Sequence, residues 1–482
     1  MTEFITKRVK NVRNDVLSGI TVALALVPEA VAFAFVAGVD PLVGLYAAFM
    51  IGLITSIFGG RPGMISGATG ALAVVMVSLV AEGNAMGNPD ENLGLYYLFL
   101  TVILMGIIQV FAGIFKLGKF VRLIPHPVMM GFVNGLAIVI FLSQLGLFKD
   151  TSTGGTDWLQ GTEMWTMLGL VALTMGIMFG LPKITKKIPA ALTAIIVVAC
   201  ITIFGKLNVG TVGSFIVEGG GTGLKGSLPS FQNQIFDLFD TLNGHWGLIL
   251  STAFIMATVG LIESLMTLNL IDEITETRGS GNRECVAQGS ANILNGLFGG
   301  MGGCAMIGQS LINVDSGGRG RLSGIVAAIA LLMFVLFGAP LIEQVPLAAL
   351  VGVMFMVVIG TFAWSSFRIL NKIPLGDAIV LIAVSAITVW QDLAIAVIAG
   401  VIISALIFAW KNATMIRARK RTKDDGTLVY EIWGPLFFGS TQNFASKFNA
   451  KNDPNKIEID FIESKVNDHS GIEALRSIIH KY

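Results

Sequence analysis

Glu263 is the residue whose type and position point most directly to chemistry. It lies in the stretch GLIESLMTLNLI (260–271), within a predicted apolar helix near 246–270 that contains no Lys or Arg. An ionisable side chain in such a helix is costly, so it generally serves ion binding or proton transfer. We predict that Glu263 binds Na⁺ or H⁺, and Na⁺ is the one metal ion that this residue suggests. The alternative is a structural acid paired with a backbone group.

A glycine-rich break follows in the stretch FGGMGGCAMIGQSLINV (298–314). The apolar pattern stops at its glycines and resumes from Ala305 to Val314. We therefore predict a half-helix that begins inside the membrane. The free N–H groups and positive dipole end of a half-helix attract anions, so this segment is a candidate anion site.

The same break occurs in the first half of the chain, in FGGRPGMISGATGALAVV (58–75). The Phe-Gly-Gly motifs and a later glycine, Gly63 against Gly303, are in register. Two matching glycine-interrupted segments predict an inverted repeat with the binding site between its halves. The alternative is that glycines are simply common in transmembrane helices.

The composition indicates a polytopic membrane protein. Of 482 residues, 54% are hydrophobic and 13% are charged, whereas soluble domains have about 25% charged residues. Apolar segments long enough for spans or half-spans predict an all-α fold of fourteen spans, arranged as a 7+7 inverted repeat. They lie near 16–37, 42–58, 67–81, 95–115, 124–148, 163–181, 188–205, 246–270, 285–298, 304–314, 322–338, 345–366, 375–390 and 392–410.

Basic residues predict the orientation in the membrane, because cytoplasmic loops collect Lys and Arg. Residues 1–15 form a basic cytoplasmic N-terminus without the features of a cleaved signal. Loops after even-numbered spans are also basic, which places both termini in the cytoplasm and the protein in the inner (plasma) membrane. These loops include Lys116, Lys119, Arg122, Lys183, Lys186, Lys187, Arg368 and Lys372.

The composition changes after Trp410. Residues 411–425 form a basic linker that suits an anionic membrane surface. Residues 426–482 then predict a small cytoplasmic α/β module, with strands in LVYEIWGPLFFG and KIEIDFIESKV, a helix over Ala445–Phe448 and a final amphipathic helix. The segment is short for an independent core, so we expect partner contacts or missing residues.

The remaining reactive residues form no pattern typical of catalysis, metal binding or redox chemistry. Cys200, Cys285 and Cys304 stand singly and are predicted to be packing residues. The four histidines show no metal-ligand spacing, and no nucleophile motif or phosphate-binding loop is present. We expect no enzymatic activity, no cofactor beyond Na⁺ or H⁺ as co-substrate, and no nucleic-acid partner.

Two long stretches resemble the SulP family of anion transporters. They are VPEAVAFAFVAGVDPLVGLYAAFMIGLITSIFGG and ECVAQGSANILNGLFGGMGGCAMIGQSLINVDSGGRGRLSG, and EIWGPLFFGS with DHSGIEAL resembles the start of a STAS domain. The resemblance implies a transport domain over 16–410, followed by a partial STAS domain over 426–482. It also implies that a core domain (spans 1–4 and 8–11) moves against a gate domain (spans 5–7 and 12–14). The anion would then lie between the N-termini of spans 3 and 10.

The resemblance also assigns roles to individual residues. Many relatives have Gln in place of Glu29, and many vertebrate members have Arg in place of Gln309. This chain therefore lacks a fixed positive charge at the site, which favours cation-coupled symport. The assigned anion-site residues are Phe33, Thr69, Gly70, Ala305, Met306, Ile307 and Gln309, and the assigned coupling residues are Glu263, Thr267 and Glu29.

Simpler structural explanations remain for three of these residues and for Ser470. Phe33 is also explained by packing, Thr69 by a bond to the preceding turn, and Glu29 by a local helix distortion after Pro28. Ser470 lies in a turn that resembles the phosphorylatable turn of STAS regulators, and an N-cap explains it equally well.

The predicted function is secondary active transport of bicarbonate or sulfate, coupled to Na⁺ or H⁺, by an elevator-type homodimer. Dicarboxylate transport is one alternative. The other is a channel-like or signalling membrane protein whose output is the STAS segment.

Overall fold

The structure is a computed structural model that describes residues 2–86, 93–119, 125–149, 157–185, 189–218, 226–236, 246–390, 393–454 and 456–482. Its residues group into two units, Met1–Asn371 with Ile382–Val397, and Lys372–Leu381 with Ile398–Tyr482. Arg122, Lys186 and Lys187, used above to orient the chain, lie outside the described residues.

Helices dominate the first unit, and each predicted apolar segment coincides with one. Among the described residues, the first nine are α1 (Thr2–Ala37), α2 (Pro41–Phe58), α3 (Gly70–Met86), α4 (Leu93–Ile114), α5 (His126–Gln144, extended by a 3₁₀ turn to Phe148), α6 (Gly161–Ile184), α7 (Ala190–Phe204), α8 (Val212–Glu218) and α9 (Trp246–Thr275). The next seven are α10 (Gly281–Leu297), α11 (Ile307–Asp315), α12 (Arg321–Glu343), α13 (Leu347–Thr361), α14 (Ser365–Ile369), α15 (Leu375–Trp390) and α16 (Leu393–Thr414), of which α15 and α16 run through both units.

The helix lengths confirm a multi-pass membrane protein. Within the described ranges, eight helices are long and apolar enough to cross a membrane, and four further apolar helices are shorter. Short apolar helices are what half-spans require, because a full crossing takes about 20 residues. The arrangement as fourteen spans in two inverted halves stays a prediction.

Two short strands meet inside this helical unit. β1 (Ser66–Ala68) pairs antiparallel with β2 (Gly303–Ala305), with Ser66 opposite Ala305 and Ala68 opposite Gly303. We call residues 59–69 the first crossing segment and residues 298–306 the second. Each segment turns through a glycine with positive φ, Gly63 at 81° and Gly299 at 80°, and then leads into α3 or α11.

The predicted repeat, with Gly63 in register with Gly303, stays a prediction. The strands show that the two glycine-rich segments meet, with Ala68 opposite Gly303. The predicted half-helix begins at Ile307 and not at Ala305, because residues 303–305 form the strand instead.

The second unit contains a mixed sheet. β4 (Leu428–Leu436) pairs antiparallel with β3 (Arg417–Thr422) and parallel with both β5 (Ile457–Asp460) and β6 (Ser464–Val466). Two helices, α17 (Thr441–Ala445) and α18 (His469–Lys481), complete it. The buried core includes Tyr430, Ile432 and Phe444.

Two predictions for this unit were wrong. The basic linker contains β3, because alternate residues such as Ala418 pack on the core while the arginines stay exposed. The helix predicted over Ala445–Phe448 instead covers Thr441–Ala445. Identification of the unit as a STAS domain stays a prediction.

Candidate functional site

A cavity of about 350 Å³ brings together eight of the ten predicted site residues. Its walls come from α1, α3, α5, α9, α11 and α13. The predicted residues that line it are Glu29, Phe33, Thr69, Gly70, Glu263, Met306, Ile307 and Gln309.

Two helix N-termini open into this cavity. Thr69, Gly70 and Ala71 line it at the start of α3, and Met306, Ile307 and Gly308 line it at the start of α11. The N-cap residue of α11 is Met306, which makes no side-chain capping bond. The first N–H groups of two helices, which have no partner within their own helix, and the positive ends of two helix dipoles therefore lie at the same space, which is a suitable environment for an anion.

Two carboxyl groups share the cavity with these N-termini. The Cys304 thiol donates a hydrogen bond to Glu263 Oε2 over 3.0 Å, and Cys304 Sγ lies 3.4 Å from Thr69 Oγ1. Glu29 on α1 and Gln309 on α11 both line the cavity. Among the described residues that line the cavity there is no Lys, Arg or His. Among these residues, the groups that could attract an anion are the two helix N-termini and polar side chains such as Thr69 and Gln309.

Thr267 and Ala305 lie behind the cavity wall and do not line it. The Thr267 hydroxyl donates to the backbone carbonyl of Glu263 over 2.8 Å and to that of Ala305 over 3.4 Å. Both residues are fully buried. Thr267 therefore helps to hold Glu263 and β2 in place. Neither the Thr267 nor the Ala305 side chain reaches the cavity.

Hydrogen bonds from both sides hold the second crossing segment in place. The Ala305 N–H donates to Ser264 Oγ of α9 over 3.1 Å. The Met306 N–H donates to the Ile65 carbonyl over 2.9 Å, which extends the pairing of β1 and β2 by one bond. The start of α11 is therefore tied to α9 and to the first crossing segment.

Comparison with known proteins identifies the family. The sequence model of the sulfate permease family matches residues 12–384 of this chain. The chain belongs to the sulfate permease family. Curated sulfate permease relatives include the putative sulfate transporter YbaR of Bacillus subtilis, 44% identical over 98% of this chain and 92% of the relative. The bicarbonate transporter BicA of Picosynechococcus is 30% identical over 96% of this chain and 85% of its own length.

Solved structures agree with this assignment. The transmembrane domain of a cyanobacterial bicarbonate transporter BicA has a TM-score of 0.67 at 30% identity, covering 80% of this chain and 97% of that one. Murine Slc26a9, an anion transporter in the inward-facing state, has a TM-score of 0.80 at 16% identity, covering 97% and 83%. At that identity the second likeness concerns the fold alone.

Several residues of this sulfate permease site were not found from the sequence. Cys304 was predicted to be a packing residue, yet its thiol bonds the carboxyl of Glu263. A largely apolar wall faces the helix N-termini. In the sequence, its residues cannot be distinguished from apolar residues that face lipid. These residues are Phe132, Val133, Leu136 and Ile140 on α5, with Val357, Gly360 and Thr361 on α13.

Ser470 lies in the second unit, on the first turn of α18. Asp468 is the N-cap residue, and its carboxylate accepts from the Gly471 N–H over 2.8 Å. The Phe438 N–H donates to the same carboxylate over 2.8 Å. The N-cap explanation thus applies to Asp468, and Ser470 is exposed beside it. Regulation through Ser470 stays a prediction.

Proposed function

We propose that this protein is a secondary active transporter that moves a small inorganic oxyanion, bicarbonate or sulfate, together with Na⁺ or H⁺. Relatives named as sulfate and bicarbonate transporters support the anion class. The observation that carries the proposal is the cavity, where two helix N-termini and two carboxyl groups meet without a basic side chain among the described lining residues.

The site's charges explain why a cation would be needed. The N-terminus of a helix is equivalent to roughly half a positive charge, so two of them attract one anion. An ionised Glu263 would cancel much of that attraction, because it faces the same cavity. A proton or Na⁺ on Glu263 removes the repulsion. Anion and cation then each raise the other's affinity, which is reciprocal coupling between two binding sites.

The cavity wall supports an elevator-type movement. The polar groups that suit an anion lie on α1, α3, α9 and α11, which belong to the predicted core domain. The facing wall from α5 and α13, in the predicted gate domain, is apolar apart from Thr361. An anion held only by the core would travel with it as the core slides past the gate.

Burial along α13 supports an inward-facing conformation. Residues Leu347–Met354 are all buried, whereas Val357, Gly360 and Thr361 at the other end line the cavity. The predicted cytoplasmic residues Arg368 and Lys372 follow Thr361 in the sequence. The cavity would therefore face the cytoplasm, in an inner-membrane homodimer with both termini on that side.

Uptake into proteoliposomes tests the proposal. Purified protein is reconstituted and given labelled bicarbonate, sulfate or a dicarboxylate under an imposed Na⁺ or pH gradient. We expect saturable uptake of one inorganic oxyanion, accelerated by an inward gradient of one cation and lost when that gradient is collapsed. Non-saturable flux, or uptake indifferent to both gradients, would show that the protein is not a cation-coupled carrier.

A further inference from the structure

Helix α10 carries a buried polar face behind the candidate site. Glu284, Gln288, Asn292 and Asn295 are each at most 1% exposed. Their spacing of four, four and three residues places them on one side of the helix. Buried polar groups are costly unless they are hydrogen-bonded, so the partners of this face show what it is for.

Each of the four side chains contacts one of the two crossing segments. Glu284 and Gln288 bind the first segment: the Gly60 N–H donates to Glu284 Oε2 over 2.7 Å, and Gln288 Nε2 donates to Ser66 Oγ over 2.8 Å. Asn295 binds the second segment through the Met301 carbonyl, over 2.6 Å. One helix face therefore holds both segments that lead into the anion-site helices.

Asn292 makes the most specific of these contacts. Its Oδ1 accepts from the Gly303 N–H over 3.1 Å, and its Nδ2 donates to the Gly303 carbonyl over 3.0 Å. A neighbouring β-strand would make the same two hydrogen bonds to the backbone of Gly303. The other edge of β2 pairs with β1, where Gly303 lies opposite Ala68. Gln109 of α4 fixes the Asn292 amide in turn, with its Oε1 accepting over 3.0 Å.

The position of β2 controls both parts of the site. Cys304, next to Gly303, donates to the Glu263 carboxyl, and the strand continues through Met306 into α11. We propose that Asn292 is a positioning residue that sets anion affinity and cation affinity together, by holding β2 between β1 and α10. The kinetic consequences of this inference rest on the proposed transport function. Its structural part, the placement of β2 by Asn292, does not depend on that function.

The kinetic test compares Asn292→Leu, which has a similar volume and no hydrogen bonds, with Asn292→Asp, whose protonated carboxyl offers one acceptor and one donor. For Asn292→Leu we expect the KM values for anion and cation each to rise about tenfold, corresponding to ~1.4 kcal/mol, with Vmax retained. Asn292→Asp should stay close to wild type. A Vmax loss with both KM values unchanged would overturn the inference.

A matched control separates positioning from a general loss of stability. Asn134 on α5 is also buried, and its amide makes two hydrogen bonds, accepting from the Ala363 N–H and donating to Ser366 Oγ, each over 2.8 Å. Neither partner belongs to a crossing segment. Asn134→Leu should leave both KM values unchanged, and an equal rise there would contradict a specific role for Asn292.

A second measurement does not depend on transport. Cys304 is fully buried, and Cys200 is the exposed cysteine among the described residues. In a Cys200→Ser background, Asn292→Leu should make Cys304 react at least several times faster with a small thiol reagent, while Asn134→Leu should not. Unchanged labelling would overturn the inference even if the protein transports nothing. Should Asn292→Leu not reach the membrane, Asn292→Ser, too short for both bonds, is expected to give the same labelling increase.

Discussion

Gly303 lies so close to Gly67 that a Cβ atom on Gly303 would be 2.2 Å from the Gly67 carbonyl oxygen. Carbon and oxygen cannot approach to that distance, so only glycine permits the observed pairing of β1 and β2 at this point. The two crossing segments, and the helix N-termini that follow them, depend on this approach.

The first prediction follows from that contact. Gly303→Ala and Gly303→Val should both abolish most uptake, because the added carbon must push the two backbones apart. Gly169→Val on α6 is the control, since a Cβ there meets no atom within 4 Å. Uptake is measured at matched levels of membrane-inserted protein. Wild-type uptake by Gly303→Val would remove the paired crossing segments from the transport mechanism.

Gly70 should be less sensitive than Gly303. A Cβ on Gly70 would meet Phe33 Cε1 and Ile140 Cδ1, each at 2.8 Å, and both are side-chain atoms that can shift. We therefore expect Gly70→Ala to raise the anion KM several-fold and Gly70→Val to reduce uptake further. The initial uptake rate of each variant and of the wild type is measured as a function of anion concentration. A Gly70→Ala variant as inactive as Gly303→Ala would contradict the difference in contacts.

The sequence predicted the apolar helices and singled out Glu263, which lines the cavity. Glu263 was found because an ionisable residue in an apolar helix needs a partner, a rule that involves only local sequence. The pairing of Gly303 with Ala68 and the contacts of Asn292 were not found, because both depend on segments that are distant in the sequence. The apolar wall residue Ile140 was missed for a related reason, since hydropathy does not distinguish a cavity wall from a lipid-facing surface.

Acid should destabilise the second unit through Asp453. Burial acts to raise the pKa of this carboxyl, but hydrogen bonds from the hydroxyls of Tyr430 and Tyr482 and from Lys420 outweigh it and hold the pKa at about 2. The ordinary value is about 3.9. The ionised carboxyl therefore stabilises the folded unit above about pH 4, and this contribution is lost as the pH falls towards 2.

Hydrogen exchange of the full chain measures this effect. Peptides covering β4 and α18 should exchange faster in Asp453→Asn than in wild type at pH 6. The two proteins should converge as the pH approaches 2. A difference that stays constant over this range would show that ionisation of Asp453 does not stabilise the unit.

The part of the second unit after α16, residues 415–482, should not be needed for transport itself. Every residue that lines the cavity falls between Glu29 and Thr361. A truncation after Trp410 would cut into α16, which runs to Thr414, so a chain ending at Thr414 is the better test. We expect this chain to retain saturable uptake at matched protein levels. Complete loss in a truncation that inserts and folds would assign residues 415–482 to the transport machinery.

Cation coupling through Glu263 is the centre of the proposed mechanism. Glu263→Gln keeps the size of the side chain and cannot ionise, so the variant should still bind and exchange anion. It should also lose accumulation driven by the cation gradient. Glu263→Asp keeps the carboxyl and should retain coupling, with an altered cation affinity because its oxygens lie one methylene further back.

Gradient-driven accumulation in proteoliposomes that contain Glu263→Gln is the most direct measurement. Labelled anion inside the vesicles is compared with and without the inward Na⁺ or H⁺ gradient that drives the wild-type protein. Exchange of internal for external anion is measured in the same preparation and shows that the site is intact. We predict exchange close to the wild-type rate without accumulation. Accumulation against the anion gradient, with the wild-type cation requirement, would show that the coupling residue lies elsewhere, with Glu29 the next to test.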